Sequence, residues 1–278
     1  MKVTSIIFWC LVLAPFGNSH PAQSQIKQVP ISVNTTNVNP ALTNTFYVNF
    51  LKTGRCRALV ASNPKAIGYN SKTGARIILD PNVCDNNFNV TLKTRFYIMF
   101  GKITIDAKLQ NIQKVNTAIA LQSDAGDEIN FQLIDNEGVY TDIRRNGSST
   151  NQTEKVLVPC SHDYHTYTIE WRPSSIKWSI DGECIRTLSY SSCARLYPQT
   201  PMLVSLGSWS SLTSMEDQFE SLSIKRMRIE NYSTGIKYEY CNSSPNLDSV
   251  TVFKGEITKD GPVVRRWFKS ALHLAKPR

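Results

Sequence analysis

The chain has 278 residues, 41% of them hydrophobic, with 31 basic against 22 acidic side chains and a formal net charge of +9. That length suits one large domain or two average ones, and a single domain is the simpler expectation. The basic residues are dispersed and no binding motif accompanies them, so the charge suggests affinity for acidic walls or surfaces and excludes a nucleic-acid partner.

Residues 1–22 read as a secretory signal peptide: Lys2, the apolar run Ile6 to Ala14, a breaker at Pro15 and small or polar residues through Ser19. The run is too short to span a bilayer, and the mature chain is expected to carry no transmembrane segment. Cleavage between Ser19 and Gln25 removes Lys2 and Cys10, leaving 30 basic and 22 acidic side chains, a net +8. Export fits the cysteines, since Cys56, Cys84, Cys160, Cys184, Cys193 and Cys241 remain as an even set with three disulfides as the default. Chain proximity suggests Cys56 with Cys84 and Cys184 with Cys193, though fifteen pairings stay open. No C-x-x-C pair is present and His162 and His165 are not at ligand spacing to cysteines, so neither a metal nor any other cofactor is expected. Sequons at Asn34, Asn89, Asn146, Asn151, Asn231 and Asn242 fit passage through a glycosylating secretory pathway.

Residues 23–45 form a polar lead-in without a sustained period, and residues 46–257 the domain. Short strands are expected at Phe46 to Leu51, Ile67 to Tyr69, Ala75 to Leu79 and Asn89 to Leu92. Arg95 to Lys108 alternates on both sides of Gly101, as two strand segments joined at a bend. Thr117 to Gln122 leads through the acidic turn Ser123 to Asp127 into Glu128-Ile129-Asn130-Phe131-Gln132. Further strands are expected at Thr166 to Trp171, Ile176 to Ile180, Ile185 to Ser189, Met202 to Trp209, Phe219 to Ile229, Ile236 to Tyr240 and Asp248 to Ile257. Trp171 to Glu183 reads as two hairpins in series, the second turning at Asp181-Gly182, with Trp171 and Trp178 as packing residues. Many short strands and almost no helix predict an all-β, two-sheet sandwich. Residues 258–278 resemble a short basic amphipathic helix, with Trp267, Phe268 and Leu272 among Arg265, Arg266 and Lys269, offering a possible surface contact. No apolar tail of lipid-anchor length follows.

In a strand, Glu128, Asn130 and Gln132 project together while Ile129 and Phe131 enter the core. Two glutamates at 128 and 132 would bring their carboxyls to about the 5.5 Å that retaining sugar hydrolysis needs. Glu128 is in place, but Gln132 carries an amide that exchanges no proton near neutral pH.

Several segments in order resemble the fungal Crh-type chitin-glucan transglycosylases of glycoside hydrolase family 16, from about Phe96 to Tyr240. They are Phe96 to Lys102, Leu121 to Asp124 with Asp127-Glu128-Ile129, His165 to Trp171, Ile176-Lys177-Trp178 with Asp181-Gly182, and Tyr197 to Met202. The resemblance implies a concanavalin-like β-jelly-roll sandwich whose concave face binds an extended polysaccharide of the cell or spore wall, chitin or β-glucan. Members use Glu-x-Asp-x-Glu: nucleophile, orienting Asp, and acid/base. Glu128 matches the nucleophile, Asn130 replaces the orienting Asp, and Gln132 replaces the acid/base.

The family's Gly-x-Trp falls at Gly207-Ser208-Trp209, making Trp209 a sugar-stacking platform, with Tyr197 and Gln199 bordering the cleft. Asp135, Glu137 and Asp142 are possible substitute carboxylates, and Asp124 or Asp127 could line a rim; Ile143-Arg144-Arg145 departs from the family's pattern. Three functions stay open: a wall-polysaccharide binder with little or no catalysis, an active transglycosylase or hydrolase using Glu128 and another acid/base, and a structural wall or spore-coat component.

Overall fold

The computed structural model of the chain describes residues 36–84, 88–110, 114–134, 138–156, 163–210, 217–241 and 246–259. The signal segment, Asn34, Asp135, Glu137, Cys160, His162, Asn242 and residues 260–278 lie outside them.

Among these residues the strands run β1 (Thr36–Pro40), β2 (Phe46–Asn49), β3 (Leu59–Ala61), β4 (Ile67–Asn70), β5 (Gly74–Leu79), β6 (Asn89–Thr94) and β7 (Gly101–Leu109). They continue as β8 (Val115–Gln122), β9 (Glu128–Ile134), β10 (Gly138–Arg145), β11 (Ser148–Ser149), β12 (Glu154–Val156), β13 (His165–Trp171), β14 (Ser175–Ile180) and β15 (Glu183–Ser189). After a single helical turn, α1 (Tyr190–Cys193), come β16 (Leu203–Ser210), β17 (Phe219–Asn231), β18 (Lys237–Cys241) and β19 (Thr251–Phe253).

Period-two burial explains the elements. Along β6, Val90, Leu92 and Thr94 are buried while Asn89, Thr91 and Lys93 are half-exposed, and β7 alternates in the same way over its nine residues. Such strands have one wet and one dry face, and two sheets close a core between their dry faces. One eight-stranded sheet has the order β11-β10-β9-β8-β16-β6-β3, with β12 beside β10; the other has β15-β14-β13-β7-β17-β5-β4, with β2 beside β17. Pairing is antiparallel throughout both. Trp171 and Trp178 are fully buried between them. The Trp178 Nε1–H crosses the core and donates to the Asn130 carbonyl at 3.0 Å, tying β14 to the middle of β9.

The hairpin at Asp181-Gly182 forms as expected, with φ of +52° and +87° at the two turn residues, the left-handed pair a two-residue hairpin requires. Elsewhere the structure differs from the sequence reading. Residues 95–100 are not a continuous strand; Phe100 at φ +60° turns the chain, and only Gly101–Leu109 pairs continuously. The lead-in contains a strand, because β1 pairs with β18 in a third sheet, β1-β18-β19; only Asn39 within it is buried, so no apolar period advertises it. The final strand is three residues long, preceded by a 3-10 turn at Leu247–Ser249 capped by the Asn246 side chain.

The two disulfides suggested by chain proximity are absent: Cys56, Cys84, Cys184 and Cys193 are free thiols. Local backbone engages three of them instead, Cys84 with the Ile78 carbonyl, Cys193 with that of Ser189 and Cys184 with that of Arg186.

Candidate functional site

The outer face of the β9 sheet collects the expected residues. Register places Arg144, Glu128, Gln122 and Leu203 in one row across β10, β9, β8 and β16. The next row holds Asp142, Asn130, Ala120, Ser205 and Lys93, and the third Tyr140, Gln132, Ala118, Gly207 and Thr91. A fourth places Trp209 between Asn116 and Asn89. Residues opposed in a register share a face, so Glu128, Asn130, Gln132 and Trp209 belong to one surface. Trp209 is half-exposed, two strands away from β9.

Glu128 is oriented by two amides. Asn130 Nδ2 donates to its Oε1 at 2.6 Å and Gln122 Nε2 to its Oε2 at 3.2 Å. Asn130 thus holds Glu128 by a hydrogen bond without supplying a second charge. Gln132 stands two residues further along the same face, roughly 13 Å from Glu128 by Cα at strand spacing.

Asp142 is buried directly opposite Asn130. Its pKa is pushed up, first by burial and further by the Glu128 charge, while Thr153, the Ile143 N–H and Arg144 act in the opposite direction. Lys93 has its pKa lowered by burial, while Asp124 and Glu128 act to raise it.

The turn before β9 is fixed by Asp127, which is buried rather than on a rim. Its Oδ2 accepts from Arg145 Nη1 at 2.5 Å, the Gln199 N–H at 2.8 Å, the Thr200 N–H at 3.1 Å and Thr200 Oγ1 at 2.8 Å, and its Oδ1 accepts from the Asn146 N–H at 3.1 Å. Two segments, residues 145–146 and 199–200, converge on this carboxylate. Gly126, at φ +84°, lies so close to Gly147 that an added Cβ would sit 2.4 Å from its nitrogen, so only glycine fits. Asp124 does lie at the exposed edge, accepting from Asn39 Nδ2 at 2.8 Å and from the Tyr97 hydroxyl at 3.0 Å.

Other expectations fare unevenly. Tyr197 is buried, not at a cleft border; its ring packs edge-on to Tyr190 and its hydroxyl donates to the Arg172 carbonyl at 2.6 Å. The Gln199 side chain accepts from the Leu247 N–H at 3.3 Å. His165 pairs with Asp181 at 2.6 Å on the opposite sheet, a surface contact. Of the sequons, Asn146 and Asn151 are exposed and Asn89 is half-exposed. Asn231 departs from them: its amide donates to the Leu42 carbonyl and the Tyr238 hydroxyl and accepts from the Met99 N–H, so a glycan on its nitrogen would have to displace one of the two donated bonds. Lys93, Asn116 and the role of Gln122 were not singled out in sequence, although the alternation in β6 and β8 was the available signal.

A face of carboxylate, amides, an indole and a lysine suits a ligand rich in hydroxyl groups. The model of the family described as glycosyl hydrolases family 16 matches residues 57–228. Crh-like protein 5 of Aspergillus fumigatus is 31% identical over 189 residues, covering 60% of this chain and 48% of that protein. Crh-like protein 2 of Botryotinia fuckeliana is 28% identical over 192 residues, covering 60% and 43%. The chain thus spans less than half the length of these two relatives. Among solved structures, a Crh5 transglycosylase in complex with NAG matches at a TM-score of 0.70 and 25% identity, over 80% of this chain and 98% of that one. A Bacillus licheniformis β-glucanase matches in fold at a TM-score of 0.55 and 16% identity, over 67% of this chain and 97% of that one. Sandwich, site and family model agree: the chain belongs to glycoside hydrolase family 16.

Proposed function

We propose that the protein is a secreted wall component that binds chitin or β-glucan on the outer face of the β9 sheet and catalyses little or no glycosyl transfer. The observation that carries this is Gln132 on the same face as a well-oriented Glu128. A retaining mechanism needs a nucleophile and an acid/base, and general acid-base assistance is worth about a hundredfold to ten-thousandfold. Glu128 retains hydrogen bonds suited to an anion, while Gln132 has no proton to give. Binding on this face is supported by Trp209, flanked by Asn116 and Asn89. Secretion and glycosylation rest on the leader and the sequons, Asn231 excepted. Chitin as a ligand class draws support from the Crh5 transglycosylase solved with NAG.

Among the described residues, the reading of an active enzyme has a candidate acid in Asp142, whose carboxyl is buried with an exposure of 8% and so withdrawn from a bound glycosidic oxygen.

The deciding experiment assays transfer from a chitin oligosaccharide to a labelled glucan, and hydrolysis, for the wild type beside Gln132→Glu. Activity in the variant alone supports an intact scaffold with lapsed chemistry. Robust transfer by the wild type overturns the proposal.

A further inference from the structure

Asn130 and Asp142 face each other across β9 and β10, and each has a buried side-chain oxygen without a hydrogen-bond partner, Oδ1 in both cases. Directly opposed residues hold their Cβ atoms about 4.5–5.5 Å apart, so the amide and carboxyl are neighbours. On its other side the Asn130 amide meets Glu128 at 2.6 Å. The amide therefore stands between two carboxyls, with one N–H side and one oxygen side to offer. Turning it over only exchanges which carboxyl meets oxygen. In either orientation the row Glu128, Asn130, Asp142 has one donor too few, and one proton on one carboxyl supplies it.

We infer that Asp142 is a neutral carboxylic acid in the folded protein, donating its hydroxyl hydrogen to Asn130 Oδ1, while the same amide donates to Glu128. The choice between the two carboxyls follows from their surroundings. Glu128 is half-exposed and takes two amide donors, Asn130 and Gln122. Asp142 is buried and has the Glu128 charge beside it on β9. The groups favouring its anion are weaker. Arg144 on its own strand is 3.9 Å away and is partly exposed, and Arg186 of β15 is already paired with Glu154 at 2.9 Å. The Thr153 hydroxyl and the Ile143 N–H also reach the carboxyl. Burial, the largest influence, raises the Asp142 pKa.

Asp142 is thus a positioning residue. By donating to the amide oxygen it polarises the N–H that holds Glu128, and it supplies from β10 a carboxyl facing the position where β9 carries Asn130. The inference holds whether or not a sugar is turned over.

Infrared spectra of the full chain labelled with carboxyl-13C aspartate test it at neutral pH. The expected result is a protonated-carboxyl band that shifts with the label and disappears in Asp142→Asn. An absent band in the labelled wild type overturns the inference without any variant. Thermal unfolding against pH provides the second measurement. A folded pKa above the unfolded one means that the folded state holds the extra proton, so this stabilisation is full below the ordinary aspartate value and is lost as pH rises through the raised value. Asp142→Asn donates to Asn130 without titrating, so its unfolding midpoint should exceed the wild type at neutral pH and converge towards it in acid. A constant offset at every pH overturns the inference.

Discussion

Replacing Asp127 by alanine removes the acceptor on which residues 145–146 and 199–200 converge just before Glu128. Arg145, 12% exposed in its side chain, loses this ion pair, and the backbone N–H groups of Gln199, Thr200 and Asn146 lose their bonds to the carboxylate. Breaking a buried pair by removing one partner costs about 3–5 kcal/mol, and unsatisfied buried N–H groups cost about 1–3 kcal/mol each where water does not reach them. The terms overlap because relaxation around one relieves the others, so about 4 kcal/mol is the expected loss. That is a large part of the roughly 5–15 kcal/mol that holds a domain together. In urea, with a slope of about 2–3 kcal/mol/M, the midpoint should fall by roughly 1.5 M. Arg228→Ala is the control: its exposed pair with Glu230 is worth about 1 kcal/mol or less. A fall below about 0.4 M for Asp127→Ala would refute its role as the organising contact.

Gln132→Glu should gain transfer activity of about a hundredfold or more over the wild type, and adding Glu128→Gln should abolish it, as read by glycosyl-enzyme formation in mass spectrometry. Trp209→Ala should weaken retention on chitin or glucan about tenfold, the scale of one lost aromatic contact, with the unfolding midpoint little changed; unchanged retention would favour a coat component that holds sugar elsewhere. Asn89 and Trp209 are direct register partners on the outer face, so a glycan on Asn89 would stand over the indole. Asn89→Gln from a glycosylating host should therefore bind polysaccharide more tightly than wild type, and equal binding by a wild type with confirmed Asn89 occupancy would show that the glycan leaves the platform open.

Much of this was legible in the sequence because strand side chains alternate with period two. That rule placed Glu128, Asn130 and Gln132 on one face, made Trp171 and Trp178 packing residues, and found the hairpin at Asp181-Gly182 from its turn chemistry. It placed the two-sheet sandwich and, with the ordered family segments, pointed to the candidate site. Contacts between distant strands were not legible. Nothing local to Asp142 says that it faces Asn130, since that depends on the register of β10 against β9. Nor does the stretch around Tyr197 reveal that its hydroxyl is taken up by Arg172, or that around Asp127 that it will gather donors from residues 145 to 200. Cysteine number suggested crosslinks, but only the folded backbone decided that Cys84 and Cys193 each find a carbonyl close by in sequence. Side-chain alternation is a property of each strand and is written in the chain; which strands lie side by side, and which buried oxygen meets which donor, is decided only when the two sheets close.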